Sequence, residues 1–446
     1  MSEALARYID AFAQVRGTLA GQGHAAVEGL REQALQRAAE RGLPGRREEA
    51  WRYTRLRELD RQHYRPATAV QATEAALAAR CDALLAALPG HVLVLDNGVF
   101  DAARSRIDGW AGQGVELLRI ADVLERGDEE LIERLRPQAG TSGEVFEALN
   151  TAFLRDGVWL RLAAGAQAPG PLHLVHLAQG PAGDNDEAGT FSPVRLLVDA
   201  GEGSELELFE WYLSGGDRPC HVNVQSRVRL GAGAKLRHCK VLDEGARTVH
   251  IAADRCALAE AAELRTLRIS LAAGLGRQNI ELAMQAPGAS VQLDAACLAT
   301  GRDHLDHQVT LEHAAPGTRS RTAVNSVADD HGRSVFNGRI HVHPQAQQTD
   351  AALTNANLLL SDQAEVDSKP ELEIYADDVR CSHGSTVGRL DPAQLFYLRS
   401  RGLSQATARS LLVRGFLAGR WDGLEAPLAD WLGQRLDERL GSAAGE

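Results

Sequence analysis

The densest group of chemically capable side chains is LEIYADDVRCSHGSTVG, residues 372–388. If Val379 to His383 is extended, side chains alternate between faces, so Val379, Cys381 and His383 share one face while Asp378, Arg380 and Ser382 share the other. A thiol and an imidazole side by side are ligand types that iron and iron-sulfur clusters accept. The same pair would also suit a thiol nucleophile activated by its base, as in acyl transfer. The plainer alternative is a buried cysteine beside a hydrogen-bonded histidine at a strand end. Gly384 follows immediately, a residue that lets another backbone approach closely.

Histidine is unevenly placed: six of the 15 (His304, His307, His313, His331, His341, His343) fall within 40 residues. In RIHVH, Ile340 and Val342 take the buried face, which leaves His341 and His343 side by side on the outer one. Two such ligands can chelate, but the sequence fixes no third, so a surface pair is the expectation. His304 and His307, three apart, are treated alike. Other chemistry lacks its motif. No GxxxxGK[ST] string exists, so the chain is not expected to hydrolyse ATP by itself. Gly21-Gln22-Gly23 follows no strand and has no third glycine, and in Gly384-Ser385-Thr386-Val387-Gly388 the serine is one position out of place for a nucleophile elbow. The six cysteines (Cys81, Cys220, Cys239, Cys256, Cys297, Cys381) form no CxxC pair and read as reduced thiols, several of them buried.

The elements that must position these residues change character along the chain. Residues 1–155 read as an α-rich region. Leu5, Tyr8, Ile9, Phe12, Val15 and Leu19 make one helical stripe that Ser2 could cap, Val27 to Ala38 a second ending at Gly42, and Ala76–Leu88 and Ile120–Leu135 two more, with a strand-like run at His91–Leu95. From residue 156 to 388 the period becomes two, in VWLRL, LHLVHL, VRLLV, ELELFEWYL, HVNVQSRVRL and KLRHCKVL. Turn clusters centred on Gly203, Gly233, Gly288, Gly317 and Ala346 are spaced by 30, 55, 29 and 29 residues, a repeat of about 29 with one step doubled. Strands at a fixed repeat without intervening helices suit a parallel β-solenoid better than a doubly wound sheet, with a β-sandwich as the competing fold. Residues 389–446 turn helical again. Asp391 caps a helix opened by Pro392, and Ser404 caps the next, whose apolar face is read as Ala408, Leu411, Leu412 and Phe416.

Composition sets limits. At 446 residues the chain exceeds a single compact core, and 44% hydrophobic with 24% charged residues is ordinary globular usage. Sixty acidic against 48 basic residues give a net charge of −12, which disfavours nucleic acid, and a 5% aromatic fraction is thin for stacking sugars or bases. The N-terminus lacks the pattern of an export signal and no run is long enough to span a membrane, so a cytoplasmic location is expected.

Residues 348–416, QTDAALTNANLLLSDQAEVDSKPELEIYADDVRCSHGSTVGRLDPAQLFYLRSRGLSQATARSLLVRGF, closely resemble the signature region of the SufB/SufD family of iron-sulfur cluster assembly proteins. REEAWRYTRL, 47–56, looks like the amino-terminal motif of its SufD branch, and DDVRCSHGSTVG favours the same branch, although Ser385 stands where the family usually has alanine. The resemblance implies a right-handed parallel β-helix flanked by helical domains, and a non-catalytic scaffold that pairs with SufB through the β-helix. It further implies docking of the ATPase SufC on the C-terminal helices, where Leu395, Phe396, Leu398, Leu411, Leu412 and Phe416 are the candidate contacts. His383, with Cys381 as its neighbour, would help hold a nascent cluster at the SufB interface, with no cofactor tightly bound to the chain alone and flavin left open. A homodimer is possible for the isolated chain. Truncation at residue 388 is expected to leave a folded β-helix. The rival readings are a β-helix enzyme acting on acidic polysaccharide and a homodimeric metal-binding protein using the histidine cluster.

Overall fold

The alternating segments pair into two long parallel sheets, each strand hydrogen-bonded to the strands one coil before and one coil after it. The computed structural model describes residues 3–45, 47–137, 143–181, 188–215, 218–421 and 423–442, so Ser2 lies outside the described residues. Sheet one runs from Gly157–Leu162 through Gly189–Ala200, Cys220–Leu230, Thr248–Leu258, Leu275–Met284, His304–His313 and Arg333–Val342 to Glu365–Ile374. Sheet two runs from Leu172–Ala178 through Glu205–Ser214, Lys235–Asp243, Glu263–Ala272, Ser290–Ala299, Arg319–Ala328 and Asp350–Leu359 to Arg380–Gly388. The chain visits the sheets alternately, which is a β-solenoid of about seven turns.

The register carries the repeat seen in the sequence. Lys235 pairs with Glu263, Glu263 with Ser290 and Ser290 with Arg319, steps of 28, 27 and 29 residues. Identical lanes therefore stack: Leu206, Leu236, Leu264 and Val291 lie beside one another facing the lumen, all buried. Farther along the same strands the lumen carries paired charge. Lys240 sits 3.0 Å from both Asp254 oxygens, and Glu210 accepts from His238 at 2.8 Å. Burial works to raise the Glu210 carboxyl, but Lys240 and His238 outweigh it and hold it down at about 2.

One corner of the coil is a hydrogen-bonded column. Gly203, Gly233, Ala261, Gly288, Gly317 and Gln348 all have positive φ, between 52° and 75°. Each of the first five donates its N–H to the carbonyl just before the next member, Gly203 to Ala232, Gly233 to Glu260, Ala261 to Pro287, Gly288 to Pro316 and Gly317 to Gln347, and the last, Gln348, donates to Asp378. The doubled step is thus two ordinary coils whose shared corner is an alanine. The last corner is Gln348, two residues beyond the expected Ala346.

The N-terminal segment is less separate from the solenoid than its helical pattern indicates. Helices Glu3–Val15, Ala25–Arg41, Ala75–Ala87 and Glu144–Phe153 are present. Strand His91–Asp96 joins sheet two beside Leu172–Ala178, with Val99–Arg106 folded back on it, and Val115–Arg119 closes the start of sheet one. The single helix read over Ile120–Leu135 is two, Ile120–Leu124 and Glu129–Leu135. Gly127 takes φ 64° between them, and Asp128 caps the second by accepting from the Leu131 N–H at 2.8 Å.

At the other end, Asp391 and Ser404 cap helices Pro392–Ser400 and Gln405–Ala418 as expected. The second helix buries Ala408, Val413 and Leu417, not the stripe through Leu411, Leu412 and Phe416. With Trp421, Leu428, Trp431, Leu432 and Leu436, Val413 and Leu417 cover the outer face of sheet two, against Cys239, Val241, Ile269, Leu271, Leu298 and Val327. Polar ties reinforce the cover: Arg435 to Asp243 at 2.8 Å, Arg420 to Asp294 at 3.3 Å, Asn325 to the Phe416 carbonyl at 2.7 Å and Arg409 to Asp329 at 2.6 Å. Cutting the chain at residue 388 would expose this apolar sheet face to solvent.

Candidate functional site

At their C-terminal side the two sheets end in Glu365–Ile374 and Arg380–Gly388, each paired on one side only. Cys381 pairs in register with Ala351 and His383 with Leu353. Ala351 and Leu353 face the lumen at 1% exposure each, so Cys381 and His383 continue that lane past the last closed coil. Sharing one face, they stand as the alternation predicts. Val379 and Cys381 still touch the core, whereas His383 is exposed and has no side-chain hydrogen bond to any described residue. The reading of His383 as a hydrogen-bonded, structural histidine is therefore overturned.

The neighbourhood is short of internal partners. A Cβ placed on Gly384 or Gly388 would meet nothing within 4 Å, so nothing in this chain's own packing requires glycine there. Ile374, Tyr375 and Val387 expose 39%, 61% and 54% of their surface at the same end. Between the two terminal strands lies a small polar closure. Ser385 meets the Ser368 hydroxyl at 2.8 Å, Ser368 donates to Asn355 Oδ1 at 2.7 Å, and Asn357 donates to the same oxygen at 2.7 Å. Sequence reasoning missed Ser368 and Asn355. The coil repeat was the signal that could have found Asn355, since it pairs with Ser385 one coil on.

Burial pushes the Cys381 thiol up from its ordinary value, offset in part by a backbone hydrogen bond from Ala351. A thiol held neutral is a poor nucleophile without help, which weighs against the acyl-transfer reading. The other five cysteines are free and buried, and burial drives Cys81 to about 11 and Cys220, Cys239, Cys256 and Cys297 to about 12. They are packing residues.

The remaining candidates separate. His307 is buried against Ser270 and Gln278, His313 against Thr318 and Ser320, and burial lowers both to about 4. His304 meets Thr54 at 3.2 Å and is lowered likewise. His341 and His343 do lie side by side outside sheet one, ring centroids 4.4 Å apart. Of the candidate docking residues, Phe396 is 74% and Leu411 46% exposed, while Leu395, Leu398, Leu412 and Phe416 are half-buried. Helix Pro392–Ser400 buries no residue at all.

Comparison with known proteins places this arrangement. The SufBD core domain of the SUF system for iron-sulfur cluster assembly matches residues 183–416, and the SufBD N-terminal region matches residues 2–174. The iron-sulfur cluster assembly protein SufD of Escherichia coli is 32% identical over 91% of this chain and 92% of its own length. A SufBD family protein of Synechocystis is 29% identical over 88% and 86% of the two chains. The chloroplastic protein ABCI7 of Arabidopsis thaliana is 29% identical over 65% and 62%. Among the described residues no helix is long and apolar enough to cross a membrane. The chain belongs to the SufB/SufD family of iron-sulfur cluster assembly proteins, on its SufD side.

Proposed function

We propose that the protein is a non-catalytic scaffold subunit that pairs end to end with a SufB-type β-helix and carries the ATPase SufC on its C-terminal helices. The observation that carries this reading is the open solenoid end, where Cys381 and His383 share a face beside a glycine with free space around it. Two strands with unpaired backbone edges and exposed Ile374, Tyr375 and Val387 suit addition of another sheet. An iron-sulfur cluster in assembly is then cargo at that junction, with the His383 imidazole as one ligand and Cys381 as the secondary one. The raised Cys381 thiol fits the lesser role, because it must lose its proton before it can ligate. A helix with no buried residue that presents Phe396 and Tyr397 supports the SufC contact. Six free cysteines suit a reducing compartment such as the cytoplasm.

The test is His383→Ala in the complex reconstituted with SufB and SufC. An exposed side chain without a hydrogen bond should change stability by less than about 0.5 kcal/mol, while cluster formation, followed by visible absorbance, should fall sharply. Cys381→Ser should cause a smaller loss. Normal cluster assembly by a folded His383→Ala complex would end this reading of the site.

A further inference from the structure

A second group of ligand-type side chains lies on the outer face of sheet one, away from the strand that carries His383. Glu312 pairs in register with His341, on strands His304–His313 and Arg333–Val342. Ile340 and Val342 are fully buried, so His341 and the following His343 are directed outward, toward Glu312. Glu312 Oε1 is 2.8 Å from His343 Nε2 and 4.0 Å from His341 Nδ1. One donor atom from each of the three residues falls within 4.8 Å of the others, and this is the single such group of three or more among the described residues. The side chains are 25% to 42% exposed, wet enough for an ion to enter yet seated on rigid strands. Tyr375 packs edge-on against His341, centroids 5.6 Å apart, and restricts that ring.

We propose that Glu312, His341 and His343 form a three-ligand site for one divalent transition-metal cation of the zinc class, with its remaining coordination positions open to solvent. Two imidazoles and one carboxylate suit such an ion, whereas calcium and magnesium prefer all-oxygen shells. Ligand bonds of about 2.1 Å place tetrahedral donors about 3.4 Å apart. The observed separations bracket that value, so side-chain torsions alone can close the site. Glu373, in register beside His341 on the next strand and held by Arg339 at 3.5 Å, adds negative charge at the rim. The third ligand that RIHVH lacked comes from one coil earlier.

The experiment is calorimetric titration of the full, chelator-stripped chain with Zn2+, with Co2+ absorption as a second readout of nitrogen and oxygen ligation. One saturable site is expected. His341→Ala, His343→Gln and Glu312→Gln should each weaken it by more than about tenfold, as loss of a ligand should exceed the effect of a supporting partner, and Cys381→Ser should leave it unchanged. Melting temperatures confirm that each variant is folded, and His343→Gln keeps a polar side chain of similar reach. The proposal fails if the wild-type chain shows no saturable Zn2+ site, if His341→Ala and His343→Gln bind as tightly as wild type, or if Cys381→Ser abolishes binding. The first two outcomes leave the role of His383 at the solenoid end untouched, whereas the third would move the ion to the Cys381–His383 pair there.

Discussion

Arg277 sets its guanidinium carbon 3.8 Å from the centre of the Trp51 ring, joining a coil of sheet one to the N-terminal motif REEAWRYTRL. Both side chains are at most 1% exposed. Asp306 stands 2.5 Å from Arg277 and also accepts from Thr54 of the motif, while the Phe146 ring packs tilted against the indole with centroids 5.5 Å apart. Burial lowers the Arg277 pKa and Asp306 opposes the shift, so the pair survives in the interior because each charge has its partner. Trp51→Ala should cost about 3–5 kcal/mol by denaturant unfolding, from the lost ring and the cavity beneath Arg277. A loss below about 1 kcal/mol would show that the motif is not anchored by this stack.

Ala261 occupies a corner at φ 52° that four of its five counterparts, all but Gln348, fill with glycine. An L-residue pays about 1–2 kcal/mol for the left-handed region, and glycine returns part of that as unfolded-state entropy. Ala261→Gly should therefore stabilise the protein by about 0.5–1 kcal/mol. Gly317→Ala, where a Cβ would meet nothing within 4 Å, should destabilise it by a similar amount through conformation alone. The denaturation midpoints of the two variants should move in opposite directions; a shared direction would refute the corner argument.

Those corners also explain what was legible beforehand. The repeat showed because Gly203, Gly233, Gly288 and Gly317 mark it, and one step looked doubled because Ala261 adopts the same conformation without the same residue. Cys381 and His383 could be placed on a common face because strand alternation is strict. The C-terminal helix face was misread because Gln405–Ala418 is apolar on two sides, and the covered sheet chose Val413 and Leu417 over Leu411 and Leu412. Glu312 escaped notice beside His341 because strand pairing, not sequence proximity, brings them together, although they lie one repeat apart.

Asp303 gives the fold a specific pH response. Burial raises its carboxyl to about 7, against weaker opposition from Arg439 and the Thr300 N–H. The folded state therefore holds a proton that the unfolded chain releases near pH 4. Its burden is absent below about pH 4, grows as pH rises, and is complete above about pH 7. Asp303→Asn should leave stability unchanged near pH 4 and raise it by up to about 4 kcal/mol at pH 8. Equal effects at both pH values would contradict the assignment.

Phe396→Ala and Leu411→Asp test the proposed SufC contact without touching the cover on sheet two. Phe396 is mostly and Leu411 about half exposed, and neither belongs to the cover on sheet two, so thermal stability should hold within about 1 kcal/mol while capture of purified SufC declines. Undiminished capture by the double variant would move the docking surface elsewhere.

The polar ties of the C-terminal helices reach Asp243, Asp294, and Asn325 with Asp329, on or just beyond three of four successive strands in sheet two. Such a fastening works as a splint. A pull applied to the outermost helix loads several coils together in shear, where their hydrogen bonds share the strain, and cannot peel one strand from the edge at a time. Mechanical work done on the helices would thus reach the solenoid as a displacement of a stiff block, leaving the terminal strand Arg380–Gly388, which lies beyond the splint, as the compliant end.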